Sequence, residues 1–176
     1  MGPPDPPLTD GVVTLRPAAD RDLGAIERGI TDRDVIRWFG KAAMSAREVL
    51  ELNGARWVDG SGPTFAICGP DDRCVGHVWV NVGTGTGGAV GYWLLPEARG
   101  RGLATRAVRL ISDWAYRDMA LTALHLVTEP GNLPSQRVAE RSGFQRDRLV
   151  RSNANVDGRT VDHLVFRLPR ADASAG

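Results

Sequence analysis

The chain has few cysteines: Cys68 and Cys74 are the only two among 176 residues. Two thiols supply neither a metal cage nor a disulfide framework, so we expect no metal site. They flank a predicted turn, where a single bridge is geometrically possible, but reduced thiols are the expected state in the cytoplasm. No partner for nucleophilic activation stands out, and we therefore interpret both cysteines as core or turn residues.

Long apolar runs are also absent, because no stretch approaches the roughly 20 residues that a membrane-spanning helix needs. The first ten residues are rich in proline and lack the basic and apolar segments of a signal peptide. The formal net charge is only +1, which argues against a nucleic-acid partner. We expect a cytoplasmic protein with no membrane partner.

The length suits one domain, which at this size can bury roughly 70% of the surface of its unfolded chain. We expect a flexible leader over residues 1–10, a single domain over residues 11–168 and a flexible tail over residues 169–176. An exposed strand edge could mediate pairing of two chains, so a monomer and a homodimer both stay open.

Two kinds of pattern divide the domain into strands and helices. β-Favouring stretches predict strands over residues 12–15, 64–68, 74–82, 89–95, 121–127, 144–151 and 160–168. Helical spacing predicts one helix that Asp20 caps, one that opens with the capping box at Ser45, and two more over residues 102–117 and 132–141. Asp157-Gly158 is the turn signal of the last hairpin. The order predicts an α/β (α+β) fold with a mixed, mostly antiparallel central sheet flanked by helices.

The most informative segment joins a predicted strand to the long helix and reads Arg99-Gly100-Arg101-Gly102-Leu103-Ala104. The two glycines let a phosphate approach the backbone, and a helix N-terminus offers unpaired N–H groups with a positive dipole end. The two arginines add positive charge. A strand, a Gly-rich turn and a helix start together predict an anion site. The alternative is an ordinary turn with solvated arginines.

A second Gly-rich run, residues 83–88, fits the dinucleotide pattern G-x-G-x-x-G. It leads into a strand instead of a helix, and no βαβ unit surrounds it, so we interpret it as a hairpin loop. No G-x-x-x-x-G-K-[ST] motif occurs, which argues against a nucleoside triphosphatase.

Two motifs resemble one known family. Arg99 to Ala104 matches the [RQ]-x-x-G-x-[GA] signature of the GNAT superfamily of acyl-CoA N-acyltransferases. Residues 129–144, with Asn132, Ser135 and Gly143-Phe144, resemble the N-x-x-S…G-F ending of the ribosomal-protein N-terminal (alanine/serine) acetyltransferase branch. The predicted element order agrees with this resemblance from residue 11 to residue 168. The resemblance implies a GNAT-like fold and an acetyl-CoA-dependent N-acetyltransferase.

The resemblance also implies how acetyl-CoA binds as co-substrate. The strand before the loop would splay from its neighbour and bind the pantetheine arm through the backbones of Trp93 and Leu94. The loop would hold the pyrophosphate, and Asn132 would bond the arm, although helix capping is the alternative for Asn132 and Ser135. The implied cofactor-binding residues are Trp93, Leu94, Arg99, Gly100, Arg101, Gly102, Leu103, Ala104, Thr105, Asn132 and Ser135.

The implied chemistry is direct attack of a primary amine on the thioester. A backbone N–H near Leu94 would stabilise the oxyanion, and Ser135 would protonate the departing thiolate. Many relatives carry a carboxylate on the strand before the loop, but this chain has Ala89 there. The candidate bases elsewhere are Glu129, His77, Asp162 and His163, and a water chain to solvent is an equal alternative.

The sequence leaves the acceptor open among a protein N-terminus, a small polyamine and an aminoglycoside-like amine. Trp38, Phe39 and Trp57 lie in the region that usually forms the acceptor pocket, although aromatic residues at helical spacing are more often core. The missing carboxylate motivates one alternative function, a catalytically inactive sensor or scaffold that binds acetyl-CoA.

Overall fold

The computed structural model describes residues 2–83, 86–154 and 160–170, without the side chains of residues 152–154. Its strands are β1 (Leu8–Thr9), β2 (Thr14–Arg16), β3 (Thr64–Cys68), β4 (Cys74–Val82), β5 (Gly87–Leu94), β6 (Ala123–Thr128), β7 (Gln145–Ala154) and β8 (Thr160–Leu168). Its helices are α1 (Leu23–Ile30), α2 (Arg33–Phe39), α3 (Ala46–Asp59), α4 (Leu103–Asp118) and α5 (Leu133–Arg141). In the described parts of the chain, no helix combines the length and the apolar character needed to cross a membrane.

All eight strands form one sheet in the order β1-β2-β3-β4-β5-β6-β8-β7. Each neighbouring pair is antiparallel except β5 and β6, which run parallel and are connected by α4. The β7–β8 hairpin folds back so that β8 pairs with β6 and β7 lies at the edge. The predicted mixed, mostly antiparallel sheet flanked by helices is therefore confirmed.

Side-chain alternation gives the sheet two different faces. One face carries Val78, Val80 and Val90, which are buried together with Ala107 and Ile111 of α4 in the main core. The other face carries Ala66, His77 and Trp93, and α1 packs on it so closely that a Cβ on Gly29 would lie 2.3 Å from the Trp93 ring. Helix α1 therefore covers part of this second face.

Local capping signals explain where several helices begin. The predicted capping box of α3 is present, with the Ser45 hydroxyl accepting the Glu48 N–H at 3.3 Å. Asp20 does not cap α1 as expected, because residues 20–22 form a short 3-10 turn before the helix. Asp22 instead forms a buried ion pair with Arg16, at 2.7 Å. Helix α2 was not predicted; it begins at the N-cap Asp32, whose carboxylate accepts two backbone N–H groups.

The sheet starts before residue 11, the expected start of the domain. Leu8 and Thr9 pair with Leu15 and Thr14, and Asp10 accepts backbone N–H groups in the turn between the two strands. The expected leader is therefore corrected over its last residues, which pair because the turn folds β1 back onto β2. The predicted Asp157-Gly158 turn, part of the Gly-rich hairpin loop (residues 84–85) and residues 171–176 of the expected tail lie outside the described residues.

Candidate active site

The two parallel strands in the middle of the sheet separate after three residue pairs. Gly87, Gly88 and Ala89 of β5 pair with residues 123–125 of β6. Beyond these pairs, β5 continues to Leu94 and β6 to Thr128 without pairing to each other. We call the resulting gap between residues 90–94 and residues 126–128 the fork. The splayed strand that the GNAT resemblance implies is present here.

Hydrogen bonds to β4 identify the backbone groups of β5 that face the fork. At the two ends of β5, the Gly83 N–H donates to the Gly87 carbonyl at 3.1 Å, and the Leu95 N–H donates to the Val75 carbonyl at 2.9 Å. In an antiparallel pair, every second residue directs both its N–H and its C=O toward the partner. The odd-numbered residues of β5 therefore face β4, and the even-numbered residues face the fork.

The fork edge of β5 consequently carries the backbone groups of Val90 and Tyr92 and the N–H of Leu94, whose carbonyl accepts from Arg99. Leu94 was one of the two backbones expected to bind the pantetheine arm. The expectation for Trp93 needs correction, because Trp93 is paired with His77 and its backbone groups point to β4. Sequence reasoning missed Val90 and Tyr92, since alternation of backbone groups depends on a register that local patterns do not give.

The loop after β5 connects this strand to α4 and contains the two glycines of the predicted anion site. Gly100 and Gly102 have φ values of +73° and +77°, in the left-handed region that favours glycine. A Cβ at either position would meet open space, so the backbone conformation explains these glycines. Gly102 is the N-cap of α4 and has no side chain to cap the first N–H groups. A helix start of this kind can bind an anion through its N–H groups and the positive end of its dipole.

Arg99 was predicted to add its positive charge to this anion site, but its side chain is directed elsewhere. Its guanidinium donates to Asp34 at 2.6 Å, to Asp32 at 2.5 Å and to the Leu94 carbonyl at 3.0 Å. Burial opposes ionisation of Asp32, but hydrogen bonds from Arg99 and Val35 outweigh it and hold the pKa of Asp32 below its usual range. Arg99 thus links the loop to the start of α2, because two carboxylates there form ion pairs with its guanidinium.

Helix α5 begins beside the fork. The Asn132 side chain accepts the Ser135 N–H at 3.2 Å and so caps α5, the alternative role weighed for this residue. The Ser135 side chain hydrogen-bonds the Tyr92 phenol. Burial raises the pKa of Tyr92, and the Ser135 contact opposes this effect without cancelling it. The phenol therefore stays protonated at neutral pH and holds the serine hydroxyl at the fork.

His77 is not placed to act as a base. It is only 2% exposed and lies stacked against the Trp93 indole, with ring centroids 5.0 Å apart. Burial lowers its pKa to about 4, because the low-dielectric surroundings disfavour the charged imidazolium. The strand register carries its side chain under Trp93, and this burial argues against the prediction that His77 is the base.

The other candidate bases lie on the far side of the fork. Glu129 directly follows β6, and its carbonyl accepts the Asn132 N–H at 3.0 Å. Asp162 and His163 are on β8, which is separated from β5 by β6. Of these three residues, Glu129 is the one next in sequence to the strand that borders the fork.

Helix α2 lies over the second face of the sheet at the fork. The Phe39 ring contacts the Trp79 ring edge-on at 5.6 Å between centroids. The Trp79 indole in turn covers Gly91, where a Cβ would lie 2.5 Å from it. At the other side of the fork, a Cβ on Gly131 would lie 3.9 Å from the Trp38 ring. Helix α2 therefore spans from β4 to the turn between β6 and α5.

Three other residues considered above belong to the core. Trp57 is 8% exposed and donates its indole N–H to the Thr64 carbonyl at 3.0 Å, so the structure does not place it in an acceptor pocket. Cys68 and Cys74 are buried and unbridged. Burial raises the pKa of Cys68 to about 12 and that of Cys74 to about 11, so both remain thiols and poor nucleophiles at neutral pH.

Comparison with known proteins gives consistent relatives. A profile of the acetyltransferase (GNAT) domain matches residues 13–145. A probable N-acetyltransferase of Bacillus subtilis, YjcK, is 33% identical over 105 residues, which span 58% of this chain and 58% of that protein. An uncharacterized N-acetyltransferase of Bacillus licheniformis, p20, is 24% identical over 89% of this chain and 92% of its own length.

The solved structures agree. Mycobacterium smegmatis RimJ in complex with CoA-disulfide superposes with a TM-score of 0.83 and 25% identity, over 100% of this chain and 93% of that one. A ribosomal-protein-S5-alanine acetyltransferase of Vibrio fischeri has a TM-score of 0.81 at 18% identity, over 97% and 100%. The resemblance predicted from the loop and α5 motifs is thereby confirmed at the level of family and fold.

Proposed function

Because the chain belongs to the GNAT family of acetyltransferases, we propose that it transfers an acetyl group from acetyl-CoA to a primary amine by direct attack in a ternary complex. The observation that carries this proposal is the fork. Backbone donors and acceptors of β5 border a gap inside the sheet, and the same strand continues through the Gly-rich loop to the uncapped N-terminus of α4. An extended arm that ends in a diphosphate matches such a groove in shape and in chemistry.

In this proposal the cofactor occupies the fork as an additional strand would. The amide groups of the pantetheine arm bond the backbone of Val90, Tyr92 and Leu94, with the Asn132 side chain as a further contact. The pyrophosphate lies against residues 100–105, where the first N–H groups of α4 and the exposed Arg101 favour an anion.

The charge distribution along the chain supports the same assignment. Residues 1–98 contain nine basic and thirteen acidic side chains, a net charge of −4, whereas residues 99–176 contain thirteen basic and eight acidic ones, a net charge of +5. The second part includes the loop, α4 and α5. A cofactor with several phosphate charges is attracted to this part, and a cationic amine is attracted to the first part.

The chemistry follows from the groups at the fork. The amine nitrogen attacks the thioester carbonyl, and a fork-facing N–H of β5 stabilises the oxyanion. When the C–S bond breaks, the Ser135 hydroxyl gives its proton to the sulfur and recovers one from the attacking nitrogen. Tyr92 keeps the serine hydroxyl in position. No covalent intermediate with the protein is needed.

The acceptor reaches the thioester from the opposite face, beneath α2. Phe39 and Trp79 line this approach, and Trp38 closes it near Gly131. Aromatic faces attract an ammonium group and also contact its aliphatic neighbours. Both a protein N-terminus and a small-molecule amine fit this description.

Calorimetric titration with acetyl-CoA, and separately with dephospho-CoA and ATP, tests the cofactor site. We expect micromolar binding that is selective for acetyl-CoA, and loss of this binding in Gly102→Glu, because the new carboxylate repels the pyrophosphate. Gly60→Glu is the matched control, since Gly60 has a similar φ of +73° and open space at its Cβ but lies at the end of α3. Equal affinity of both variants would exclude the assignment.

A second assay separates the enzyme from a sensor or scaffold. Release of free coenzyme A is followed with a panel of N-terminal peptides, polyamines and aminoglycosides. Acetylation of any of these amines supports the enzyme. Tight acetyl-CoA binding without turnover on the whole panel would favour the sensor, the alternative that the alanine at position 89 motivates.

A further inference from the structure

His125, which the sequence motifs did not single out, stands where the fork begins. It is the β6 partner of Ala89 in the last pair before the two strands separate. Paired residues in neighbouring strands carry their side chains on the same face of the sheet. The half-buried imidazole therefore shares a face with Ala89 and, two residues further along β5, with Gly91. This is the face over which α2 lies.

We propose that His125 is the general base that deprotonates the acceptor amine, an inference that rests on the proposed acetyl transfer. Neighbouring strands are roughly 5 Å apart, so the imidazole and the Ala89 methyl group lie side by side at the closed end of the fork. The side chain at position 89 is a single methyl group, and in this proposal an amine or one bridging water lies next to it. A neutral imidazole has one ring nitrogen that accepts a proton, which suits this role.

On this face of the sheet, His125 lies between Ala89 of β5 and Arg167 of β8. One row further along the strands, Gly91 and Val127 border the fork, and neither has a titratable side chain. The Glu129 carboxylate follows only after the end of β6. His77, two strands away, is sealed under Trp93. His163 lies on β8, so that β6 separates it from β5.

The three protons of the substrate ammonium are each accounted for in this reaction. The substrate ammonium gives one proton to the His125 imidazole and becomes a neutral amine. The C–N bond then forms and the C–S bond breaks, while a second proton passes from nitrogen through Ser135 to the sulfur to give free coenzyme A. The third proton stays on the amide nitrogen. The imidazolium releases its proton to solvent and restores the starting state.

The test compares His125→Ala and His125→Gln with His163→Ala, a control that removes a histidine from a neighbouring strand. With any acetylated amine of the panel, we expect kcat to fall by roughly 100-fold or more in both His125 variants. The dissociation constant of acetyl-CoA should change by less than about twofold, because the fork edge of β5 stays intact. Added imidazole should restore part of the rate in His125→Ala and leave His163→Ala unchanged.

The outcomes distinguish this inference from the proposed function. If the wild-type protein acetylates an amine and both His125 variants keep kcat within threefold, His125 is not the base and the proposed function still stands. A loss of kcat that imidazole does not rescue, or that comes with a loss of acetyl-CoA binding, also overturns the role as base. If the wild-type protein binds acetyl-CoA and acetylates no amine, the proposed function fails and this inference fails with it.

Discussion

Replacing Arg99 by glutamine and Asp32 by asparagine tests whether this arginine holds α2 or a phosphate. The Asp32→Asn change keeps an N-cap oxygen for α2, because asparagine caps as well as aspartate does, so it removes only the charge. The Arg99 side chain is 33% exposed and that of Asp32 is 13% exposed. Surface pairs contribute ~0–1 kcal/mol, whereas breaking a fully buried pair costs ~3–5 kcal/mol. We therefore expect a coupling near 1 kcal/mol after solvent screening.

Urea unfolding of the wild type, both single variants and the double variant measures this coupling. The functional consequence follows from the position of α2 over the fork. In Arg99→Gln we expect the KM of the acceptor to rise several-fold, because the helix that carries Trp38 and Phe39 loses an anchor. The dissociation constant of acetyl-CoA should change by less than about twofold, since no phosphate contact is lost.

Arg101→Gln is the matched control in the same loop. Arg101 is exposed, and losing one charged contact to the pyrophosphate should weaken acetyl-CoA binding by roughly fivefold, equivalent to about 1 kcal/mol. Its free energy of unfolding should stay at the wild-type value. Arg99 would be a phosphate ligand after all if both arginine variants weaken acetyl-CoA binding equally and the Arg99–Asp32 coupling is below about 0.3 kcal/mol.

Three further predictions concern stability. An unfolded histidine titrates near 6.5 and His77 near 4, so the unfolded state binds more protons between these values. The free energy of unfolding therefore decreases as pH falls through this window, by roughly 1.4 kcal/mol per pH unit. His77→Gln should reduce this pH dependence, which urea unfolding at pH 7 and pH 5 measures. Arg16→Met should cost ~3–5 kcal/mol in the same assay, because it leaves the Asp22 carboxylate buried without its cation. Gly29→Ala should cost ~1–3 kcal/mol and shift tryptophan fluorescence, because the new methyl group displaces the Trp93 ring.

Each of these predictions has a control. The wild type is the reference for the first prediction, which an equally steep slope between pH 7 and pH 5 in His77→Gln would contradict. Asp72→Asn removes the other carboxylate on Arg16, but its side chain is 53% exposed, so it should cost about 1 kcal/mol or less. Gly24→Ala places a methyl group in open space on α1, and similar losses at both glycines would refute the proposed clash.

Local signals predicted the elements that local interactions determine. The bounds of β3, β4 and β8 agree with the predictions, because each is a β-favouring run ended by turn residues. The start of α3 follows from the Ser45 capping box. Helix α2 has only seven residues, too few for a clear helical period, and Arg99 holds it from a distant part of the sequence. No local pattern could reveal that contact.

The residues of the candidate site also differ in whether local sequence patterns reveal them. The loop glycines and Asn132 were predicted because their motifs are contiguous in sequence. The motifs did not single out Tyr92 or His125, because their positions at the fork depend on which residue of one strand lies opposite which residue of another. The burial of His77 likewise follows from its stacking on Trp93 across two strands. Pairing register, which sequence patterns specify weakly, therefore decides most of the chemistry.

The fork also has a consequence for how long the folded chain survives. Interrupted pairing inside a sheet leaves amide protons that exchange with solvent, and it weakens the seam between the two halves. A coenzyme bound there, as proposed, would complete the sheet and add about 2.7 kcal/mol to the stability at a concentration 100 times its dissociation constant. The concentration of acetyl-CoA would then set the resistance of the protein to proteolysis as well as its catalytic rate. A shortage of the co-substrate would therefore lower the amount of folded enzyme.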